Sequence, residues 1–140
     1  MQLHVIARGK IGRSPEAELF ARYAKRISWP LRHTELPDAG GNAPPPLRPS
    51  RDVLLDEHGR QMSSEQFATL LGEWRDQGVR EARFHIGAAD GHGEPARASA
   101  DLLLAFGTMT WPHLLARAML AEQLWRATSI LAGHPYHRSG

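Results

Sequence analysis

The chain has 140 residues, of which 41% are hydrophobic and 23% charged, so it has the size and composition of one folded domain rather than of a disordered protein. It contains no cysteine, which excludes a disulfide framework, a cysteine-ligated zinc site and a cysteine nucleophile. The net charge is only +2, although 15 of the 17 basic residues are arginine.

The first half of the chain alternates strand and helix patterns. Residues 2–7 predict a short strand, and Ser14 followed by Pro15 predicts a helix start, with a capping hydroxyl before proline at the first helical position. Residues 31–36 fit a second strand. Residues 37–50 hold five prolines and two glycines and therefore predict a loop.

The second half continues the alternation. Residues 53–55 predict the end of a buried strand, and Ser63 with Gln66 predicts a capping box at the start of the next helix. Residues 82–86 predict a further strand, and residues 96–106 predict a helix. Strands separated by helices of this length indicate an α/β fold, a mostly parallel sheet with helices on both faces, in a single domain over residues 1–140.

The last predicted helix is unusual because it is apolar around most of its circumference. Pro112 opens it, and it runs over about residues 113–132. A helix of this kind is buried on more than one side, which favours a subunit interface; a central core helix is the alternative. Its three charged residues, Arg117, Glu122 and Arg126, argue against a membrane span.

The N-terminus does not predict a secretory signal, because Arg8 and Lys10 interrupt the only apolar run there. We therefore expect a cytoplasmic protein with no membrane partner. No group of residues has metal-ligand spacing strong enough to predict a metal site.

Three loops that contain glycine follow predicted strand ends, at residues 55–59, 86–91 and 107–112. In an open α/β sheet, ligands bind beyond the carboxyl ends of the strands, so the three loops together could hold a nucleotide-like cofactor. Each loop alone is weak evidence, since glycine after a strand is usually only a turn. Neither a dinucleotide-binding glycine motif nor a Walker A motif is present.

Charge is distributed unevenly along the chain. Residues 1–32 carry seven basic and two acidic groups, residues 33–101 carry seven basic and twelve acidic groups, and residues 102–140 carry three basic and one acidic group. The basic ends form a positive patch if the fold brings them together. Arg8, Lys10 and Arg13 then become candidates for phosphate contact, the alternative being a solvated surface run.

The C-terminal tail concentrates polar chemistry in five residues. His134, Tyr136, His137 and Arg138 supply hydrogen-bond donors, a candidate base and a stacking surface for RNA. A metal hydrolase built on His113, His134 and His137 is one alternative, and a terminus without a role is another.

Several of these segments resemble one known family. TMTWPH at 108–113, AEQLWRA at 121–127 and YHR at 136–138, with ARGK at 7–10 and GR and SSE within 59–65, resemble the RlmH family. Its members are the pseudouridine N3-methyltransferases of large-subunit ribosomal RNA in the SPOUT superfamily. The resemblance covers essentially the whole chain and is poorest over residues 37–50, a loop that is short for the family.

The resemblance implies a C-terminal trefoil knot, a homodimer through the C-terminal helix, and S-adenosylmethionine as cofactor. It implies methylation of N3 of a pseudouridine in 23S ribosomal RNA on the assembled ribosome. Cofactor contacts carry over to Leu55, Gly87, Ala88, Gly107, Thr108, Met109, Thr110, Trp111 and Pro112. Arg126 and the YHR tail correspond to the substrate side.

From these positions we assign Arg126, Tyr136 and His137 as candidate catalytic residues, and Arg8, Lys10, His134 and Arg138 as candidate RNA contacts. Two residues depart from the family pattern: Ala88 stands where a second glycine is usual, and Trp111 where a smaller apolar residue or phenylalanine is common. A non-catalytic module that binds the ribosome or RNA is the second hypothesis, and cofactor binding separates the two.

Overall fold

A computed structural model of the protein describes residues 1–87 and 92–133. The strands are β1 (Gln2–Arg8), β2 (Leu31–Leu36), β3 (Ser50–Gln61), β4 (Glu81–Ile86) and β5 (Leu102–Ala105), and the helices are α1 (Pro15–Ala24), α2 (Ser64–Asp76), α3 (Glu94–Ser99) and α4 (His113–Leu131). The strands form one sheet in the order β2-β1-β4-β3-β5, and every pair in it is parallel. The predicted α/β class and parallel sheet are confirmed; the knot stays a prediction.

The two predicted helix starts are confirmed in detail. The Ser14 hydroxyl accepts a hydrogen bond from the Ala17 amide, and Pro15 occupies the first turn. Ser63 and Gln66 form a complete capping box before α2. Each side chain satisfies a backbone group that the helix itself cannot, which fixes where the helix begins.

The predicted helix over residues 96–106 is wrong. Helix α3 covers only Glu94–Ser99, and Leu102–Ala105 is the edge strand β5. An apolar run of four residues fits a buried helix turn or a strand equally well, so periodicity could not decide. Asp101 decides it, because its amide donates to the Asp52 carbonyl and its carboxylate accepts from the Asp52 amide, which starts the pairing with β3.

The two faces of the sheet differ sharply in chemistry. Leu3, Val5 and Ala7 of β1 and Ala82, Phe84 and Ile86 of β4 point to one face, where α1, α2 and α4 cover them with apolar side chains such as those of Phe20, Phe67, Leu71, Leu120 and Leu124. This apolar face is the hydrophobic core. On the other face, which we call the polar face, the alternate residues of the same strands carry histidine, glutamate and arginine.

The polar face holds a buried network of hydrogen bonds and ion pairs centred on Glu81, which is 1% exposed. Its carboxylate accepts a hydrogen bond from Gln2 and lies 3.4 Å from His4 Nδ1 and 3.7 Å from Arg83 Nε. His4 Nε2 lies 2.7 Å from the Thr34 hydroxyl, so the network extends to β2. Pairing and hydrogen bonding are what make such burial of charge tolerable.

The proline-rich loop, predicted as a loop, covers part of the polar face. The Leu47 amide donates to Glu81, and the Arg80 amide donates to the Pro49 carbonyl. Helix α3 contributes Ala96 and Ser99 to the same side. Helices therefore lie on both faces, and among residues 1–87 and 92–133 the helix on the polar face is the short α3.

Helix α4 is anchored by Arg117, the largest fully buried side chain of the described residues. Its Nη1 lies 2.5 Å from Glu35 Oε2, and its Nη2 donates to the carbonyls of Arg8 and Gly9. The same Glu35 oxygen accepts from the Ile11 amide at 2.7 Å. One guanidinium thus joins α4 to the ends of β1 and β2.

The surroundings of Glu35 favour its ionised form, which pairs with Arg117. Partial burial alone would raise the pKa of Glu35, but hydrogen bonds from Ile11 and Arg117 outweigh it and hold the pKa below its ordinary value. Burial and the nearby Arg117 lower the pKa of His33, which therefore stays neutral and accepts from the guanidinium through Nε2. Phe20 packs on the His33 ring at 4.5 Å between centroids.

Helix α4 packs against both α1 and α2 of its own chain, so it is a core helix within the single chain. Its most buried side follows Arg117, Leu120, Ala121, Leu124 and Thr128. Leu115 and Met119 remain half-exposed. None of the helices in the described part of the chain is long and apolar enough to cross a membrane.

Replacing Arg117 should destabilise the protein strongly. Arg117→Leu leaves Glu35 without its charged partner and the Arg8 and Gly9 carbonyls without a donor, so the free energy of unfolding should fall by about 3 kcal/mol in urea denaturation. Arg22→Leu, an exposed arginine of α1, is the matched control and should change it by less than about 0.5 kcal/mol. Equal losses in the two variants would contradict the anchoring role.

Stability should also fall in mild acid. His4 and His33 have a pKa lowered by burial from the ordinary 6.5. The unfolded chain therefore binds protons at a pH where the folded chain does not, so stability decreases as the pH falls through that range.

The midpoint of thermal unfolding should drop between about pH 7.5 and about pH 5, by roughly 3 °C for each kcal/mol lost. His33→Gln should flatten the dependence, whereas His58→Gln, at an exposed site, should leave it unchanged. A pH-independent midpoint would show that these histidines bind protons equally in both states.

Candidate functional site

The predicted strand end at Leu55 and loop at residues 55–59 are wrong, because β3 runs to Gln61 and is only irregular between Leu55 and Arg60. We call residues 55–57 the β3 junction. The Leu55 carbonyl accepts a hydrogen bond from His92 Nε2 at 3.0 Å, two residues before α3. The Glu57 carboxylate accepts from the Thr110 hydroxyl, in the loop that follows β5. The β3 junction therefore contacts the segment that enters α3 and the loop after β5, near the carboxyl ends of the strands, where an open α/β sheet binds ligands.

The third residue of the β3 junction binds α3. Asp56 forms a 2.9 Å ion pair with Arg97 and accepts from the His58 amide. Asp56 has a largely buried side chain, so this pair is better shielded from solvent than an ordinary surface pair. Three consecutive residues thus contact three different segments, which fixes the relative position of the loops.

The loop after β5 presents apolar groups to solvent. Gly107 has φ +103°, a backbone conformation that only glycine adopts without strain. The Trp111 indole donates to the Phe106 carbonyl at 3.0 Å and closes the loop on itself. Met109 is 74% exposed and Trp111 41% exposed, which is unusual for side chains of this size and is typical of a surface that binds a ligand or partner.

A cavity of about 490 Å³ opens on the polar face at the carboxyl ends of the strands. It is lined both by Arg8, which the sequence analysis names as a candidate RNA contact, and by Gly87, which it names as a candidate cofactor contact. The loop at residues 38–40 forms one wall, and His92 and Ala96 form the opposite wall. Its volume and position fit a small-molecule site.

The cavity is lined by a hydrogen-bonded pair, His85 and Asp52. His85 Nε2 lies 2.7 Å from Asp52 Oδ1. This hydrogen bond, together with the nearby Arg83, lowers the pKa of Asp52 despite partial burial, so Asp52 is a carboxylate at neutral pH and His85 donates to it.

The predicted RNA contacts of the first loop are held in place by the core. Arg8 donates through Nη1 to the carbonyls of Pro37 and Gly40, and its own carbonyl accepts from Arg117. Lys10 is exposed. The basic loop is thus a fixed feature of the surface.

Arg126 lies in the second half of α4, where Glu122 one turn earlier accepts from its Nε at 3.0 Å. Its guanidinium also lies 5.9 Å from the centre of the Trp125 ring. Arg126 therefore lies on the helix that packs against α1 and α2. Ala88, His134, Tyr136, His137 and Arg138 lie outside the described residues, so their assignments stay predictions.

Comparison with known proteins identifies the family. Residues 1–137 match the family model described as predicted SPOUT methyltransferase. The chain is 74% identical over 141 residues to the ribosomal RNA large subunit methyltransferase H of Novosphingobium aromaticivorans, with 100% of both chains covered. The chain belongs to the SPOUT methyltransferase family. The resemblance seen in its sequence motifs is confirmed.

More distant relatives of the same name extend the match. The proteins of Paramagnetospirillum magneticum and Brucella anthropi are 48% and 42% identical, and the match covers 99% of this chain in each case. Those alignments run over 151 and 161 residues, so these SPOUT methyltransferases are longer than this one.

Sequence reasoning missed several residues of this SPOUT methyltransferase site. His92, Arg97 and the Asp52–His85 pair carry no motif, and each acts through a partner between 33 and 41 residues away in the sequence. Only their place near the predicted loops could have suggested them. Within residues 1–87 and 92–133, no three histidine or carboxylate side chains are grouped to hold a metal ion.

Gly59, in the first of the three predicted loops, is required for packing. A Cβ there would lie 2.6 Å from the Leu103 carbonyl carbon, which real side chains do not reach. Gly59→Ala should therefore push β3 away from β5 and lower the free energy of unfolding by about 2 kcal/mol in urea denaturation.

The matched control is Gly93→Ala, where a Cβ would meet Pro95 at an ordinary 3.8 Å. It should cost less than about 0.5 kcal/mol. Equal stability of the two variants would show that the β3–β5 contact yields easily.

Proposed function

We propose that the chain uses S-adenosylmethionine to methylate N3 of a pseudouridine in 23S ribosomal RNA, on the assembled ribosome. The contacts of His92 and Thr110 with the β3 junction carry the proposal, because they bring candidate cofactor-binding segments together near the carboxyl ends of the strands, where an open α/β sheet binds ligands. The names of the relatives, which specify the large ribosomal subunit, support the substrate.

The residues present fit this cofactor. Gly107 keeps backbone groups accessible at a tight turn, and the exposed Met109 and Trp111 offer apolar surface for a flat heterocycle. Leu55, Gly87, Ala88 and residues 107–112 would hold it. When bound, the cofactor supplies a methyl group on a positively charged sulfur.

The reaction requires alignment and the loss of one proton. The residues of the site would align N3 with the methyl group that the cofactor would supply, and the N3 proton would pass to a base or to solvent. We assign His137 or Tyr136, reaching in from the partner subunit, to orient the base and assist proton loss. Arg126 or Arg138 would stabilise the negative charge that develops on the imide oxygens.

The RNA side uses the basic ends of the chain. Arg8 and Lys10, on a loop fixed by Arg117, would contact phosphates, which contribute affinity rather than sequence recognition. His134 and Arg138 would contact the RNA near the target base. Acting on ribosomes, the protein would work in the cytoplasm.

A homodimer through α4 would complete the site. The half-exposed Leu115 and Met119 of α4 and the exposed Trp111 that precedes it provide apolar surface next to one another in sequence. Burial of this surface against a second copy would place the C-terminal tail of one chain near the loops of the other.

Methyl transfer to ribosomes at saturating cofactor tests the assignment. Arg126→Ala and His137→Ala should each lower kcat by about 100-fold, because each removes a group that acts on the charge or proton of the transition state. Arg22→Ala, at an exposed position of α1, should retain the wild-type rate. Wild-type turnover in both site variants would refute the catalytic roles.

Calorimetry with S-adenosylmethionine separates the enzyme from the alternative. The wild-type protein should bind the cofactor, whereas a module that only binds the ribosome should not. Absence of binding would favour the non-catalytic module.

A further inference from the structure

His92 is a side chain that neither the motifs nor the proposed chemistry assign. It lies two residues before α3, and its ring Nε2 is 3.0 Å from the Leu55 carbonyl of the β3 junction. A carbonyl oxygen can only accept, so Nε2 carries the ring proton. The tautomer of His92 is thereby fixed.

The surroundings keep this histidine neutral. Burial lowers the pKa of His92 below 6.5, and it outweighs the backbone hydrogen bonds to Leu55 and His85, which act in the opposite direction. The charge of His85 also opposes protonation, while Asp56 favours it. At neutral pH the ring is therefore neutral, and the contact with the Leu55 carbonyl requires a proton on Nε2.

The hydrogen bond from His92 meets β3 where the pairing of that strand with β5 becomes irregular. Regular pairing of β3 with β5 is interrupted between Leu55 and Arg60, where the register shifts. Leu55 is thus the last regularly paired residue of β3 before the irregular segment. His92, two residues before α3, contacts its carbonyl, and both His92 and Gly87 line the same cavity.

We infer that His92 is a positioning residue that holds Leu55 of the β3 junction in place and thereby sets the affinity for the cofactor. It touches none of the reacting atoms, so the rate of methyl transfer from the bound complex does not depend on it. This inference rests on the proposed use of S-adenosylmethionine at these loops.

His4 shows what a purely structural histidine looks like in the same protein. It is also buried with a lowered pKa, but its partners are Thr34 and Glu81 in the middle of the polar face. Neither partner lines the cavity or belongs to the three loops. Replacing His4 therefore measures the effect of losing a buried histidine without disturbing the β3 junction.

The test compares His92→Phe, which keeps a ring and loses the donor, with His92→Gln, whose amide retains a donor. Titration calorimetry with S-adenosylmethionine should give a Kd about five- to tenfold higher for His92→Phe, the effect of one hydrogen bond, and near wild-type for His92→Gln. The kcat for ribosomes at saturating cofactor should stay within about twofold of wild type in both variants. His92→Asn, with an amide too short for the same reach, replaces His92→Phe if that variant does not fold.

The control His4→Gln should lower the thermal midpoint while leaving Kd unchanged. An unchanged Kd in His92→Phe, or an equal rise in Kd in His4→Gln, would overturn the positioning role while leaving the proposed function intact. A wild-type protein that binds no S-adenosylmethionine would overturn both, so the two failures are distinct.

Discussion

The buried guanidinium of Arg117 is the interaction on which the rest of the structure depends. A charge in a hydrophobic core is costly unless it is paired and hydrogen-bonded, and here the two Nη atoms are held by Glu35 and by the Arg8 and Gly9 carbonyls. The helix that carries Arg117 packs on α1 and α2 and directly follows the loop after β5. One residue therefore sets the position of the core helix, the basic loop and the end of the candidate cofactor loop together.

The same sheet serves two purposes because its faces differ. The apolar face is covered by three helices and supplies the core, whereas in the part of the chain that the structure describes the polar face is covered by the proline-rich loop and the short α3. Relatives aligned over 151 and 161 residues have more chain available, and the family resemblance is poorest over residues 37–50. The short loop over the polar face leaves room for a cavity at the strand ends. Glu81 and its neighbours on that face hydrogen-bond and pair with one another, which an apolar face could not do.

Local signals in the sequence predicted what local physics determines. Ser14 and Ser63 marked helix starts, and the prolines of residues 37–50 marked a loop, because caps and proline act within a few residues. Strand β5 was missed because Leu102–Ala105 has no period, and only its pairing with β3 makes it a strand. The partners of Arg117 are 82 and more residues away, so no window along the sequence could predict them.

The candidate site shows why its family is easier to recognise than its chemistry. Methyl transfer from a sulfonium depends mainly on alignment, which backbone groups of glycine loops can provide without any diagnostic cluster of acids, bases or metal ligands. The side chains that matter in the described site are then the ones that hold loops: His92 at Leu55, Arg97 at Asp56 and Thr110 at Glu57. Such contacts join segments distant in sequence and have no fixed spacing. A motif search finds the tail and the glycines, whereas the geometry that makes them a site is visible only once the chain is folded.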